Sequence, residues 1–195
     1  GLVGSEMCIR DNPLIRISSG ELGTKFEGAT RPGHFDGVLA VVNKFFNIIR
    51  PAAGNHPVNA YFGQKDAQQY ILIQRMVRDF NHDVTMRPVA IVREDNGLAL
   101  SSRNSYLSDE ERESALVLSR TLAMLRENSL NRGFHEIDLD GARERINSTP
   151  GVRLDYLELV DPMTFGEPTE ESERVLALVA AFVGPTRLID NMDLR

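Results

Sequence analysis

The stretch NGLALSSRNSYLS, residues 96–108, sets two hydroxyls, a guanidinium and an amide side by side at Ser101, Ser102, Arg103 and Asn104. Together with backbone N–H groups, such donors can surround an anion, and Gly97 gives the backbone the freedom to bend there. The plainer reading is a surface turn in which Arg103 pairs with a surface acid. A second group lies in YFGQKDAQQ, residues 61–69, where Lys65 stands just ahead of a helix start. A cation in that place opposes the helix macrodipole by roughly 0.3–1 kcal/mol. A local rule broken at a strand-to-helix turn marks a functional position. Lysine plus helix N–H groups would hold phosphate oxygens, and a solvated surface lysine is the alternative. The third group is EGATRPGHFDG, residues 27–37. Arg31 could take a carboxylate through two hydrogen bonds. His34 could exchange a proton, or it could simply pack at a helix start. His56, His82 and His135 join no constellation.

Helices and strands must position these groups. GHFDGVLAVVNKFFNIIR carries apolar residues at three- to four-residue steps, which predicts a helix with a broad buried face. Pro51 and Gly54 end it, and RPAAGNHPVN reads as a loop. VNAYFG reads as a short buried strand, DAQQYILIQRMVRDF as a helix opened by a capping-box pattern of Asp66 and Gln69, and DVTMRPVAIV as the next strand. Helix, strand, helix, strand is the order of a parallel doubly wound sheet, whose ligands sit beyond the carboxyl ends of the strands. Beyond the quoted stretch, Ser108 and Glu111 form a second capping-box signature ahead of a long helix broken at Gly133. HEIDLDGARERIN predicts a shorter helix. VRLDYLELVD, RVLALVAAFVG and TRLIDN predict strands, the last two flanking the turn Gly184–Pro185, and FGEPTEESE a solvated acidic loop. The expected fold is therefore α/β with a parallel sheet, followed by a small C-terminal α+β domain with an antiparallel sheet. The expected domains are 12–91 and 92–195.

Composition removes several function classes. The 195 residues carry 22 basic and 28 acidic side chains, a net charge of −6, which argues against a general nucleic-acid binder. No apolar run approaches the roughly 18 residues that a membrane span needs. Cys8 is the single cysteine, so no internal disulfide forms and a reducing, cytoplasmic setting is expected. Four scattered histidines and one cysteine make no zinc pattern, and no metal ligand is assigned. GLVGSEMCIRD, residues 1–11, lacks the regions of a secretory signal and reads as an artefactual leader, or else as an authentic N-terminus.

EGATRPGHFDGV, YFGQKDAQQ, GLALSSRNSYL and TRLIDN, in this order and spacing, resemble the pantothenate synthetase (pantoate–β-alanine ligase) family from about Ile17 to Asn191. The resemblance implies a Rossmann-like nucleotidyltransferase domain with a smaller C-terminal domain. It implies activation of pantoate by ATP and Mg2+ to pantoyl adenylate with release of pyrophosphate. β-Alanine then attacks, releasing AMP and pantothenate. It implies a homodimer with small-molecule substrates only. By resemblance, Lys65, Ser101, Ser102 and Arg103 are the catalytic, phosphate-holding residues. Phe62, Gly63, Asp66, Val92 and Leu100 complete the ATP contacts, with Gly63 and Asp66 at the ribose and Val92 against the adenine. Gln69 and Arg31 bind pantoate, and Glu27 lies near the active site. Gln64 replaces the acid expected before the lysine. The loop AAGNHPVN looks longer than in many relatives. The family's upstream half-domain, with a histidine-containing ATP loop, does not precede NPLIRISSG, so the chain is expected to be a C-terminal portion that exposes apolar sheet surface or leans on a partner. A related nucleotidyltransferase for another carboxylate, and a non-catalytic scaffold or binding remnant, are the competing readings.

Overall fold

The computed structural model describes residues 14–49 and 58–195. The expected leader, Cys8, His56 and residues 50–57 of the expected loop lie outside them. The chain divides into two compact units, Gly1–Val89 and Ala90–Arg195.

In the first unit, helix α1 (His34–Ile48) buries Phe35, Leu39 and Val42, one stripe at helical spacing. Strand β1 (Val58–Gly63) leads through a turn into helix α2 (Ala67–Asp79), and strand β2 (Val84–Val89) follows. β1 and β2 pair in parallel, Val58 opposite Val84 and Gly63 opposite Val89. The stripe of α1 meets Leu72, Ile73 and Met76 of α2 to form the core, with Phe62 and Met86 packed against it. Complete burial of Ile73 contributes about 1.5–3 kcal/mol. Three expectations are corrected. β1 alternates between half-buried and exposed positions instead of being buried throughout, because only one face meets the helices; Tyr61 is 69% exposed. β2 stops at Val89, short of the predicted end at Val92. Asp66 precedes α2 without any side-chain capping bond.

In the second unit, the capping box at Ser108 forms in full and opens helix α3 (Asp109–Arg132), which ends at Gly133. A 3-10 turn, Phe134–Glu136, leads to helix α4 (Leu139–Asn147), capped by the Asp138 carboxylate on the Gly141 N–H. Strands β3 (Val152–Val160), β4 (Leu176–Val183) and β5 (Thr186–Asp193) form an antiparallel sheet in that order. β4 is apolar along almost its whole length because it is the central strand, and Ala177, Val179, Ala181 and Val183 pack into the core with Leu116, Leu122 and Leu125 of α3. A register shift between Leu154 and Tyr156 breaks the simple alternation of β3. Glu167, Glu170, Glu171 and Glu173 of the acidic loop are exposed, as the sequence suggests.

Candidate functional site

The residues of the first unit gather at the carboxyl end of its parallel sheet. The Gln64 N–H donates to the Val89 carbonyl at 2.8 Å, continuing the β1–β2 ladder one step beyond Gly63. The chain then turns through Lys65 and Asp66 into α2. Lys65 and Gln69 are half-buried and Gly63 and Asp66 exposed. Because the Asp66 side chain caps nothing, it does not occupy the first-turn amides of α2, which keep their anion-binding polarity.

Gln68 joins this turn to the EGATRPGH segment. It is 4% exposed; its Oε1 accepts from the Glu27 N–H at 3.1 Å, and its Nε2 donates to the carbonyls of Leu22 at 2.7 Å and Lys25 at 3.0 Å. Sequence reasoning passed over Gln68. Its signal is positional: residues 68, 72 and 76 share one buried stripe, and a polar residue on such a stripe must find partners. The segment so anchored ends at His34, the first residue of α1, after Gly33 turns with φ +76°. The His34 imidazole is held below its ordinary pKa of 6.5, first by burial and then by the Arg31 guanidinium, against the opposing fields of Asp66 and Glu27. His34 therefore stands neutral near neutral pH, within reach of the charges of Arg31, Asp66 and Glu27. The structure thus brings the first-unit parts of two predicted groups together.

In the second unit, Val92 to Leu100 form a tight hairpin. Leu100 N–H donates to the Val92 carbonyl at 2.9 Å, Glu94 N–H to Leu98 at 2.8 Å, and Gly97 turns with φ +96°. Val92 and Leu100, at the base of this hairpin, are 60% and 49% exposed. Ser101 then caps the 3-10 turn Ser102–Tyr106: its Oγ accepts from the Arg103 N–H at 3.2 Å, which leaves its O–H as a donor. Ser102 and Arg103 are exposed. Among the described residues Arg103 has no carboxylate partner; its Nη1 donates to the Arg187 carbonyl at 3.3 Å. Three donors of the predicted clamp thus share one exposed turn. The fourth does not: Asn104 is 3% exposed, and its Nδ2 is spent on the Ala99 carbonyl at 3.0 Å and Glu94 Oε1 at 3.2 Å. Asn104 braces the turn from inside because its amide closes the hairpin.

Among the described residues no group of three or more His, Cys, Asp or Glu side chains could hold a metal ion. No helix among them is long and apolar enough to cross a membrane.

A unit with a parallel strand pair and packed helices, followed by an α+β unit with a three-stranded antiparallel sheet, matches the fold of pantothenate synthetases. The pantothenate synthetase structure from Thermus thermophilus superposes with a TM-score of 0.84 at 39% identity, covering 98% of this chain and 67% of that one. The pantoate-beta-alanine ligase of Francisella tularensis, solved with beta-gamma ATP and beta-alanine, gives 0.67 at 31% identity, covering 95% of this chain and 60% of that one. Curated pantothenate synthetases of Corynebacterium glutamicum (strain R) and Paenarthrobacter aurescens (strain TC1) are 49% and 48% identical, each over 93% of this chain. The chain spans 63% and 65% of their lengths. The family model for pantoate-beta-alanine ligase matches residues 5–193, and the chain belongs to that family.

Proposed function

We propose that this chain carries the phosphate-holding part of a pantoate–β-alanine ligase, a cytoplasmic homodimer that makes pantothenate through pantoyl adenylate. The pantoate carboxylate attacks the α-phosphorus of ATP and pyrophosphate leaves. The β-alanine amine then attacks the acyl carbon, loses a proton and expels AMP. The observation that carries this reading is the Ser101–Arg103 turn, in which Ser102 and Arg103 are exposed and Ser101 half-buried, while the buried Asn104 braces it through the Ala99 carbonyl.

Each unit supplies its own donors. In the first, Lys65 and the first-turn amides of α2 hold phosphate oxygens, Phe62, Gly63 and Asp66 contact the nucleoside, and Gln69 and Arg31 take pantoate. In the second, Ser101, Ser102 and Arg103 hold the leaving pyrophosphate, with Val92 and Leu100 beside the nucleoside. Negative charge grows on that leaving group as the α-phosphorus is attacked, and one preorganised donor there is typically worth about 3–4 kcal/mol of barrier. No protein nucleophile is needed. Mg2+ accompanies the triphosphate in this reading; it neutralises phosphate charge when bound and needs few protein ligands. The described residues present no group of three or more His, Cys, Asp or Glu side chains to hold it.

Equilibrium dialysis of labelled ATP tests the assignment. Lys65→Ala and Arg103→Ala are each expected to weaken binding about tenfold or more, as loss of a charge-assisted hydrogen bond to phosphate does. Unchanged affinity in both would overturn it.

A further inference from the structure

TRLIDN lies on β5, the strand whose Arg187 carbonyl meets the Ser101–Arg103 turn. Asp190 of β5 is 6% exposed. Its carboxylate takes both arms of the Arg93 guanidinium, Nη1 to Oδ2 at 2.7 Å and Nη2 to Oδ1 at 3.0 Å, and Oδ1 also accepts from the Asn191 N–H at 2.8 Å. Arg93 sits in the hairpin that delivers the turn: it bridges to Ala99 across the hairpin, and its Nη1 also closes the hairpin tip by donating to the Gly97 carbonyl at 3.1 Å. Three residues before Asp190, the Arg187 carbonyl receives Arg103 itself. Strand β5 therefore grips the segment twice, once at the hairpin through Asp190 and once at the clamp through a backbone carbonyl. Glu94 adds a brace by accepting from Asn104 and Arg112.

We propose that the ion pair between half-buried Arg93 and buried Asp190 is the positioning element of the phosphate clamp, fixing the Val92–Leu100 hairpin on β5 so that Ser101, Ser102 and Arg103 are preorganised for an anionic triphosphate. An ion pair removed even partly from water is weak support for stability as such, but it is well suited to specifying one register. The two-point contact of arginine fixes orientation as well as distance, which a lysine in its place does not. Clamp donors held within about 0.5 Å of their working positions need rigid support of this kind. The proposal rests on the reading that Ser101–Arg103 hold ATP phosphates.

The test measures two things on the whole 195-residue chain: hydrogen exchange of the amides of residues 97–107, and ATP affinity by dialysis. Asp190→Asn and Arg93→Lys are the variants; the second keeps a cation beside Asp190 and so keeps the fold. Exchange at 97–107 is expected to quicken about tenfold in both, a local opening that leaves α3 and β4 protected. ATP is expected to bind about 5–10-fold more weakly, the loss of preorganisation. Arg143→Lys, at an ion pair away from the hairpin, controls for lost stability and is expected to leave ATP affinity unchanged. Unchanged protection of 97–107 in both variants overturns the proposal. So does a loosened hairpin with unchanged ATP affinity where Arg103→Ala weakens ATP. Equal ATP affinity of the unaltered chain and Arg103→Ala removes the functional reading, and the proposal falls with it.

Discussion

Gln68 and Glu27 stand 41 residues apart in sequence, yet the Gln68 Oε1 accepts the Glu27 backbone N–H at 3.1 Å. With its two donations to Leu22 and Lys25, this one buried amide fastens the segment leading to Arg31 and His34 onto the start of α2. Gln68→Ala removes the side-chain partner of one donor and two acceptors at a part-buried junction. The expected loss is about 3 kcal/mol, read from the urea midpoint of the first unit's transition. Gln74→Ala, exposed on the same helix, is expected to stay within about 0.5 kcal/mol.

His34 gives a pH signature. Burial first, then Arg31, lower its pKa from 6.5. Between 6.5 and the lower folded value the unfolded chain takes up a proton that the fold refuses, so stability is full above 6.5, declines as pH falls through this window and levels off below it. NMR titration of the imidazole is expected to show a midpoint below 6.5. Arg31→Ala raises the midpoint and Asp66→Asn lowers it further, since these remove fields of opposite sign. A midpoint unmoved by both substitutions contradicts the arrangement.

Asp36 behaves as a depressed carboxylate. The Ser19 hydroxyl donates to its Oδ1 at 2.6 Å and the Ser19 N–H at 2.7 Å, and these bonds to the charged form lower its pKa from 3.8. Its contribution to stability is full above 3.8 and lost as pH falls through the lower folded value. Ser19→Ala removes the hydroxyl bond, the stronger of the two, so acid unfolding followed by circular dichroism is expected to begin at higher pH.

Gly184 couples two distant turns. It sits at φ +54° in the β4–β5 turn, and a Cβ there would run into the Glu111 carboxylate. Glu111 is the acid of the Ser108 capping box. Gly184→Ala combines left-handed strain with displacement of that acid and is expected to cost about 1–2 kcal/mol. Ser108→Ala alone costs about 1 kcal/mol. The double variant is expected to cost less than the sum, because both act on one network. Additive losses in thermal unfolding would show the two sites to be independent.

Local patterns were legible in the sequence where the backbone conformation agreed with them. Ser108 is extended, φ −67° and ψ 169°, and its capping box forms; Asp66 has a similar pattern but ψ 65°, and its box does not. Helices α1 and α3, the parallel pair and the antiparallel sheet follow from periodicity and punctuation. Of the candidate site, the donors Ser101, Ser102 and Arg103 could be read from residue types in a row. Their supports could not: Asn104 reads in the sequence as a fourth donor, Gln68 carries no signal of its own beside Gln69, and Asp190 lies in a motif that names no partner. Each acts through partners 5 to 97 residues away, a distance that only the fold reveals.

Pantoate-dependent exchange of labelled pyrophosphate into ATP tests the central claim most directly. Residues 17–191 of this chain would replace the matching stretch of the Corynebacterium glutamicum relative, and the chimera would be assayed with and without Arg103→Ala. The account predicts pantoate-dependent exchange by the chimera and a loss of about 10²-fold or more in the variant. A folded chimera that exchanges nothing, or one that Arg103→Ala leaves at full rate, would contradict it.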